Sequence, residues 1–487
     1  MTETVYLQQY NETHMLVTCS NKGMEYELSE YFTFKVPGFR FMPAFKRGSW
    51  DGKIRLFNTR LNILYKGLIT HVEKWAAKNN YKVDIDESWK DTEFTTKQAL
   101  EFISSLNLPK EITPRNYQIE SFVEAIRKKR LTILSPTGSG KSLIIYLIIR
   151  YLNLKTLIIV PKVTLVHQLA EDIKSYGYKE EIHKIFSGED KQTDKLYSIT
   201  TWQSIFRLKK EFFDQYHVVI VDETHQAKSA SIKSCLEKCI NIIYRYGTTG
   251  TLDGENANKW VIEGLLGPVH KVTSSSELIE NKILAKFNIK ILVLKYTEAI
   301  TDMVKGLPYQ KELAFIVGYE KRNDLIVNLV TKIPGNNLVL FRFIEKHGDI
   351  LLKKFQEKTD RPIYYIHGGI DAKIREKMRA DIENEKNAII LGSIQAIGVG
   401  TNIIKLNNIF FTSPSKSRIT NLQAIGRVLR KSKIKTTATL YDIADDLSVK
   451  TKRNKSHFNY TMRHFLERLK IYKSENFPFK IFNIKVK

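Results

Sequence analysis

Ser135-Pro136-Thr137-Gly138-Ser139-Gly140-Lys141-Ser142 is the stretch whose reading decides the fold of this 487-residue chain. Leu131-Thr132-Ile133-Leu134 in front of it has the composition of a strand, and the apolar run 143–149 behind it reads as a buried helix. A Gly/Ser-rich turn between a strand and a helix is the setting of a phosphate-binding loop. Gly138 and Gly140 permit backbone angles that turn successive N–H groups toward a polyphosphate, and the helix beginning near Lys141 adds its N-terminal partial positive charge. In that reading Lys141 reaches the outer phosphates of a nucleotide, and the Ser142 hydroxyl is a hard oxygen ligand for Mg²⁺. Ser135 stands where the strict pattern has Gly.

Working outward, apolar strands at 156–160, 197–200 and 217–221 alternate with helical stretches such as 162–176, which argues for a parallel sheet with helices on both faces. The strand at 217–221 runs into Asp222-Glu223-Thr224-His225. Carboxylates at the carboxyl end of a parallel strand sit where such sheets bind ligands. Asp222 is therefore a candidate metal ligand, Glu223 a candidate for orienting or deprotonating an attacking water, and His225 belongs to the same motif. Upstream of the loop, Arg115-Asn116-Tyr117-Gln118 opens an amphipathic helix. An amide reads adenine with a donor and an acceptor at once, and an arginine or aromatic ring stacks on the base, so Arg115 and Gln118 are candidates for an adenine site.

The second half repeats the alternation without a second phosphate loop, with strand-like stretches at 337–341, 362–366, 388–391, 407–411 and 437–441. It carries Gln423-Ala424-Ile425-Gly426-Arg427-Val428-Leu429-Arg430. That spacing places Gln423, Arg427 and Arg430 on nearby faces of one helix. Forked, permanently charged guanidinium groups are suited to the charge developing on a γ-phosphate.

A net charge of +25 implies a polyanionic partner, with nucleic acid the leading candidate. The window 35–66 holds eight Lys and Arg residues against Asp51 alone, interleaved with Phe39, Phe41, Phe45, Trp50, Phe57 and Tyr65. Lys46, Arg47, Lys53 and Arg55 suit phosphate contacts, and Trp50 suits stacking. The segment after Asp446 is basic again, with a helical apolar stripe at Phe458, Met462, Phe465 and Leu469; its helix is expected to dock on the second lobe with the basic face outward. Cys19, Cys235 and Cys239 are too few for a disulfide framework, and no apolar run approaches the length of a membrane span, so the chain is expected to be cytoplasmic.

In this order the motifs resemble those of superfamily two helicases of the DExH type, over about residues 112–445. Besides the elements quoted, the resemblance takes in Pro161 to Gln168, Thr201-Trp202-Gln203-Ser204, Gly247-Thr248-Thr249-Gly250-Thr251 and Gly398-Val399-Gly400-Thr401-Asn402. It implies an α/β fold of two RecA-like lobes, ATP and Mg²⁺ as cofactors bound between them, and stepping along a nucleic-acid strand. By resemblance, the whole loop from Ser135 through Ser142 holds the nucleotide, Thr164, Gln168, Thr201 and Gln203 contact the strand, and Thr249 and Thr251 couple the two activities. Where relatives often carry an acid after the second-lobe glycines, this chain has Thr401-Asn402.

The expected domains are a basic α+β nucleic-acid-binding module at 1–95, lobe one at 96–284, lobe two at 285–448 and a basic helical extension at 449–487. The basic aromatic N-terminal module resembles that of recombination and repair helicases, which implies remodelling of branched DNA by branch migration, fork regression and removal of RNA from R-loops. An RNA helicase of the same superfamily, a nucleic-acid-binding scaffold with a nucleotide switch, and the motor of a restriction enzyme are the alternatives.

Overall fold

The computed structural model describes residues 3–486 apart from 37, 187–189, 227–229, 253–255, 399–404, 414, 430–434 and 451–455. It forms two compact units, residues 1–135 with 140–272 and residues 136–139 with 273–487.

The first unit is built on a seven-stranded sheet, all of its pairs parallel, in the order Val269–Lys271, Arg130–Leu134, Tyr244–Thr249, Val218–Asp222, Thr156–Val160, Tyr197–Thr201, His183–Ile185. Strands covered on both faces lose the in-out alternation and become continuous apolar runs. Leu157, Ile158, Ile159 and Val160 illustrate this, each at most 1% exposed. At about 1.5–3 kcal/mol per fully buried aliphatic side chain, such runs dominate the folding of the lobe. The helix Lys141–Leu152 buries every residue of 143–149, so it is apolar all round and has no exposed stripe. Gly140 (φ 80°) and Asn153 (φ 47°) bound it in left-handed conformations.

A smaller four-stranded sheet, in the order Ile63–Tyr65, His14–Cys19, Thr4–Gln9, Lys82–Ile85, forms the N-terminal module with the helices Lys22–Tyr31 and Ile69–Lys78. This module shares a core with the large sheet. Phe32, Leu68 and Val72 belong to one apolar cluster with Val261, Leu265 and Leu266. Gly264 lies so close to Tyr65 that a Cβ there would come within 2.8 Å of the tyrosine Cβ.

The second unit carries another seven-stranded, all-parallel sheet, in the order Ile363–Ile366, Ile389–Ser393, Asn337–Phe341, Asn408–Phe411, Thr437–Asp446, Lys286–Lys295, Phe479–Lys485. Its C-terminal strand makes residues beyond the expected lobe boundary part of the sheet. The strand expected at 437–441 runs five residues further, to Asp446. The helix Tyr460–Ser474 buries Met462 and Phe465 as expected. Its basic face is not wholly outward, however: Arg468 is fully buried against Asp442. Among the described residues no helix is long and apolar enough to cross a membrane.

Candidate nucleotide and nucleic-acid sites

The loop after the strand Arg130–Leu134 turns through Gly138 (φ 86°) and Gly140 (φ 80°). Within it the Ser139 hydroxyl donates to the carbonyl of Pro136, next to Thr137, at 2.7 Å. A Cβ on Gly140 would also come within 2.5 Å of Gln118 Nε2, so glycine is required there on two grounds. Lys141 Nζ donates to the Ser135 carbonyl at 3.2 Å, which folds the ammonium back over the loop. The Ser142 hydroxyl lies 2.7 Å from that of Tyr176, at the end of the helix Val163–Ser175.

Gln118 is 2% exposed. Its Oε1 accepts from the Arg115 backbone N–H at 2.8 Å, and its Nε2 donates to the Gly140 carbonyl at 3.2 Å. The amide thus ties its helix to the phosphate loop rather than projecting freely toward a base. Arg115 donates from Nη1 to the Tyr117 hydroxyl at 3.0 Å.

Asp222 ends the strand Val218–Asp222 beside Thr248 of the neighbouring strand. Its Oδ1 accepts from the Thr248 hydroxyl at 2.6 Å and from the Glu223 N–H at 2.9 Å. Burial pushes the Asp222 carboxyl up, the adjacent Glu223 charge adds to this, and the Lys141 ammonium opposes it. Glu223 occupies a left-handed backbone conformation (φ 55°), uncommon for a residue with a side chain and typical of functional turns. Its Oε2 lies 3.2 Å from His225 Nδ1 and 3.4 Å from the Thr249 hydroxyl, and that hydroxyl lies 3.2 Å from His225 Nδ1. Burial raises Glu223, but the His225 hydrogen bond and the Lys141 charge outweigh it, leaving the carboxyl below its ordinary range. The result is an ionised carboxylate held in place and paired with a second one beside a lysine. Tyr176 had no sequence signal as a member of this site, because a lone hydroxyl residue has no diagnostic spacing, and Thr248, although inside the quoted motif 247–251, had no role of its own assigned there.

Thr164 is exposed in the first turn of Val163–Ser175, and Gln168 lies half-buried one turn on. Gln203 Nε2 donates to the Pro161 carbonyl at 3.4 Å, joining its motif to the start of that helix. Thr201 is 3% exposed, its hydroxyl 2.9 Å from that of Ser204. In the second unit, Gln423 and Arg427 lie one turn apart on the helix Arg418–Val428. Arg430, and residues 399–402 of the second-lobe glycine motif, lie outside the described residues.

In the N-terminal module, Lys46 and Arg47 are exposed at the end of the short helix Pro43–Lys46. Trp50 is committed to its own turn, donating from Nε1 to the Lys53 carbonyl at 2.8 Å. Arg55 pairs with Asp51 at 2.5 Å. Of the rings named in the basic window, Phe41 faces solvent most, at 82% exposed. Three of the window's other members turn inward: Phe57 is 2%, Tyr65 5% and Lys66 7% exposed.

Three families match the chain: DNA helicase UvsW, N-terminal, over residues 4–86; type III restriction enzyme, res subunit, over 111–254; and the helicase conserved C-terminal domain over 320–432. The ATP-dependent DNA helicase uvsW of Enterobacteria phage T4 is 32% identical over 489 residues, covering 96% of this chain and 97% of the relative. A DNA 3'-5' translocase XPB2 of Sulfurisphaera tokodaii is 30% identical over 209 residues, covering 42% of this chain and 46% of the relative. The crystal structure of T4 UvsW superposes with a TM-score of 0.52 at 30% identity, covering 100% of both chains. The DNA-bound type ISP restriction-modification enzyme LlaBIII shares the fold, with a TM-score of 0.55 at 16% identity over 77% of this chain and 32% of that one.

Proposed function

The chain belongs to the UvsW family of superfamily two helicases, and from that premise we propose that it hydrolyses ATP to translocate on and remodel branched DNA. The observation that supports this reading most directly is the carboxylate pair Asp222 and Glu223, which feels the charge of the phosphate-loop Lys141 and is held by Thr248, Thr249 and His225.

Ser142 and Asp222 are hard oxygen donors of the kind that hold Mg²⁺ in phosphate-loop enzymes, and the donor set fits that ion. Bound there, Mg²⁺ would neutralise charge on the phosphate oxygens. Lys141 binds the outer phosphates, and the backbone around Gly138 and Gly140 is shaped to approach them closely. Glu223, kept ionised, orients the attacking water and accepts its proton, while His225 and Thr249 fix the direction of its carboxylate. Arg427 and Arg430 stabilise charge on the transferred phosphoryl group, with Gln423 beside them. Thr164, Gln168, Thr201 and Gln203 form the track for one strand, and the exposed basic tip of the N-terminal module takes the duplex or junction.

Hydrolysis by wild type, Glu223→Gln and Arg427→Ala, measured with forked, single-stranded and duplex DNA and with RNA, tests this. Both variants should lose kcat by on the order of 10³ while keeping DNA affinity. Near-normal turnover in Glu223→Gln, or stimulation by RNA alone, would contradict the assignment.

A further inference from the structure

A cleft of about 800 Å³ opens in the first unit where the N-terminal module meets the large sheet. It lies at the amino end of the strand Arg130–Leu134, whose carboxyl end leads into the phosphate loop. At about 3.3 Å per residue, five strand residues separate the two places by roughly 16 Å. The volume is that of a small-molecule pocket.

At the floor two cations, Lys66 and Arg130, stand against one carboxylate, within a lining that as a whole carries five acids and five bases. Glu12 Oε2 accepts from Arg130 Nη2 at 2.5 Å and from Lys66 Nζ at 3.1 Å, so two cations share one carboxylate. Arg245, 0% exposed and paired in register with Arg130, adds a third cation whose hydrogen bonds go to carbonyls and the Thr13 hydroxyl. Arg130 is 8% exposed, and its Nη1 has no hydrogen-bond partner. Burial, reinforced by the Arg245 charge, lowers the Arg130 guanidinium to about 9, and burial with the Arg130 charge lowers Lys66. Excess positive charge in a poorly solvated place favours an anion beside it.

The wall is different. Ile69, Ile85 and Trp89 line it, with Lys66 Nζ 4.8 Å from the Trp89 ring centre and Trp89 Nε1 donating to Gln9 Oε1 at 2.9 Å. The rim carries Glu73, Asp86, Glu87 and Asp91 together with Lys90, Lys128 and Lys129, of which Lys90 pairs with Glu87 and Lys128 with Asp91. Such a rim repels a polyanionic backbone but admits one phosphate attached to a flat apolar body.

We propose that this cleft is a second ligand site, for a small phosphorylated aromatic molecule of the mononucleotide class, its phosphate beside Lys66 and Arg130 and its base along Trp89. Equilibrium dialysis of the full chain with labelled cytidine monophosphate, in saturating ADP to occupy the phosphate loop, tests it. One molecule should bind per chain, weakened at least tenfold in Trp89→Ala and in Lys66→Met. Unchanged DNA-stimulated hydrolysis in Trp89→Ala would show that this variant is folded, so the test stands even if Lys66→Met is unstable. No binding above the ADP-blocked background, or equal binding in wild type and Trp89→Ala, would overturn the proposal. So would Trp89-dependent binding of a short oligothymidylate but not of the mononucleotide, which would make the cleft a strand-binding surface.

Discussion

Among the described residues each unit buries two arginines, and the two pairs are neutralised differently. In the second unit Arg322 meets Asp445 through two hydrogen bonds, at 2.7 and 3.0 Å, and Arg468 meets Asp442 at 2.9 and 2.7 Å. All four side chains are 0% exposed. Both aspartates lie on the strand Thr437–Asp446, so one strand fastens the helix Glu320–Lys332 and the C-terminal helix through closed charge pairs. In the first unit Arg130 has a share of Glu12 and Arg245 has carbonyls. Those arginines join two modules rather than completing one sheet. A buried arginine is thus no single kind of element: removing its partner in the second unit creates a bare charge, whereas removing an arginine in the first relieves one.

The largest effect should follow from Asp442→Asn. It strands Arg468 without a carboxylate and leaves a single amide oxygen for three donors, Arg468 Nε and Nη2 and the Tyr472 hydroxyl, which donates to Asp442 at 2.8 Å. Breaking a buried pair from one side costs about 3–5 kcal/mol. Urea unfolding should show that loss, and a loss below about 1 kcal/mol would mean the pair is dispensable. Arg245→Met should cost less, about 1–3 kcal/mol: it leaves the Leu236 and Cys239 carbonyls without this donor but also deletes a desolvated charge. If it proved as costly as Asp442→Asn, the contrast between the units would fail.

Acid should sharpen the same contrast. His14, stacked on Tyr65 with ring centres 4.9 Å apart, has its pKa lowered by burial to about 4. The unfolded chain takes up that proton near pH 6.5 and the native chain does so only near 4, so stability falls as pH drops through that window. Glu12, raised by burial but lowered more by Arg130 and Lys66, has a depressed pKa; its contribution is present above about 4.3 and is lost below it. The melting temperature should therefore fall between pH 7 and 5, and less so in His14→Gln. An equal fall in both would remove His14 from the account.

Much of the two sheets was legible because a strand buried on both faces spells a continuous apolar word, as in residues 156–160. The strand Lys286–Lys295 was not, since its first half alternates exposed Lys286, Asn288 and Lys290 with buried residues and reads as polar. Arg468 was misread as a surface charge because its partner lies 26 residues away in sequence, and a buried arginine is spelt like an exposed one. The candidate nucleotide site was legible where the proposed chemistry demands fixed spacing, at Ser135 to Ser142 and at Asp222-Glu223. The Tyr176 hydroxyl enters only through packing, and Thr248, though inside a quoted motif, was not legible as the partner of Asp222. Gln118 was read as a candidate for the adenine, and its bond to the Gly140 carbonyl beside the loop was not legible.

The smallest change in stability is expected at the tip of the N-terminal module, where the contrast is between rings that hold the fold and a ring that does not. Gly52 sits in a left-handed turn (φ 79°) directly against the Phe39 ring, and Phe39 packs edge-on against Phe45 with centres 4.7 Å apart. Trp50 closes the same turn through its hydrogen bond to Lys53, so Trp50→Ala or Gly52→Ala should lower the melting temperature. Phe41, Lys46 and Arg47 are exposed, and replacing them with alanine should change stability by less than about 0.5 kcal/mol. Their effects on DNA should separate. Lys46→Ala with Arg47→Ala should reduce the salt dependence of duplex binding by up to about two counterions, at roughly 0.9 per phosphate contact. Phe41→Ala should leave that slope alone and weaken binding to forks with unpaired bases by about 1–3 kcal/mol, the worth of one base stacked on an aromatic ring. Fork binding unaffected by Phe41→Ala but lost in a fully folded Trp50→Ala would return the stacking role to the tryptophan, despite its place in the turn.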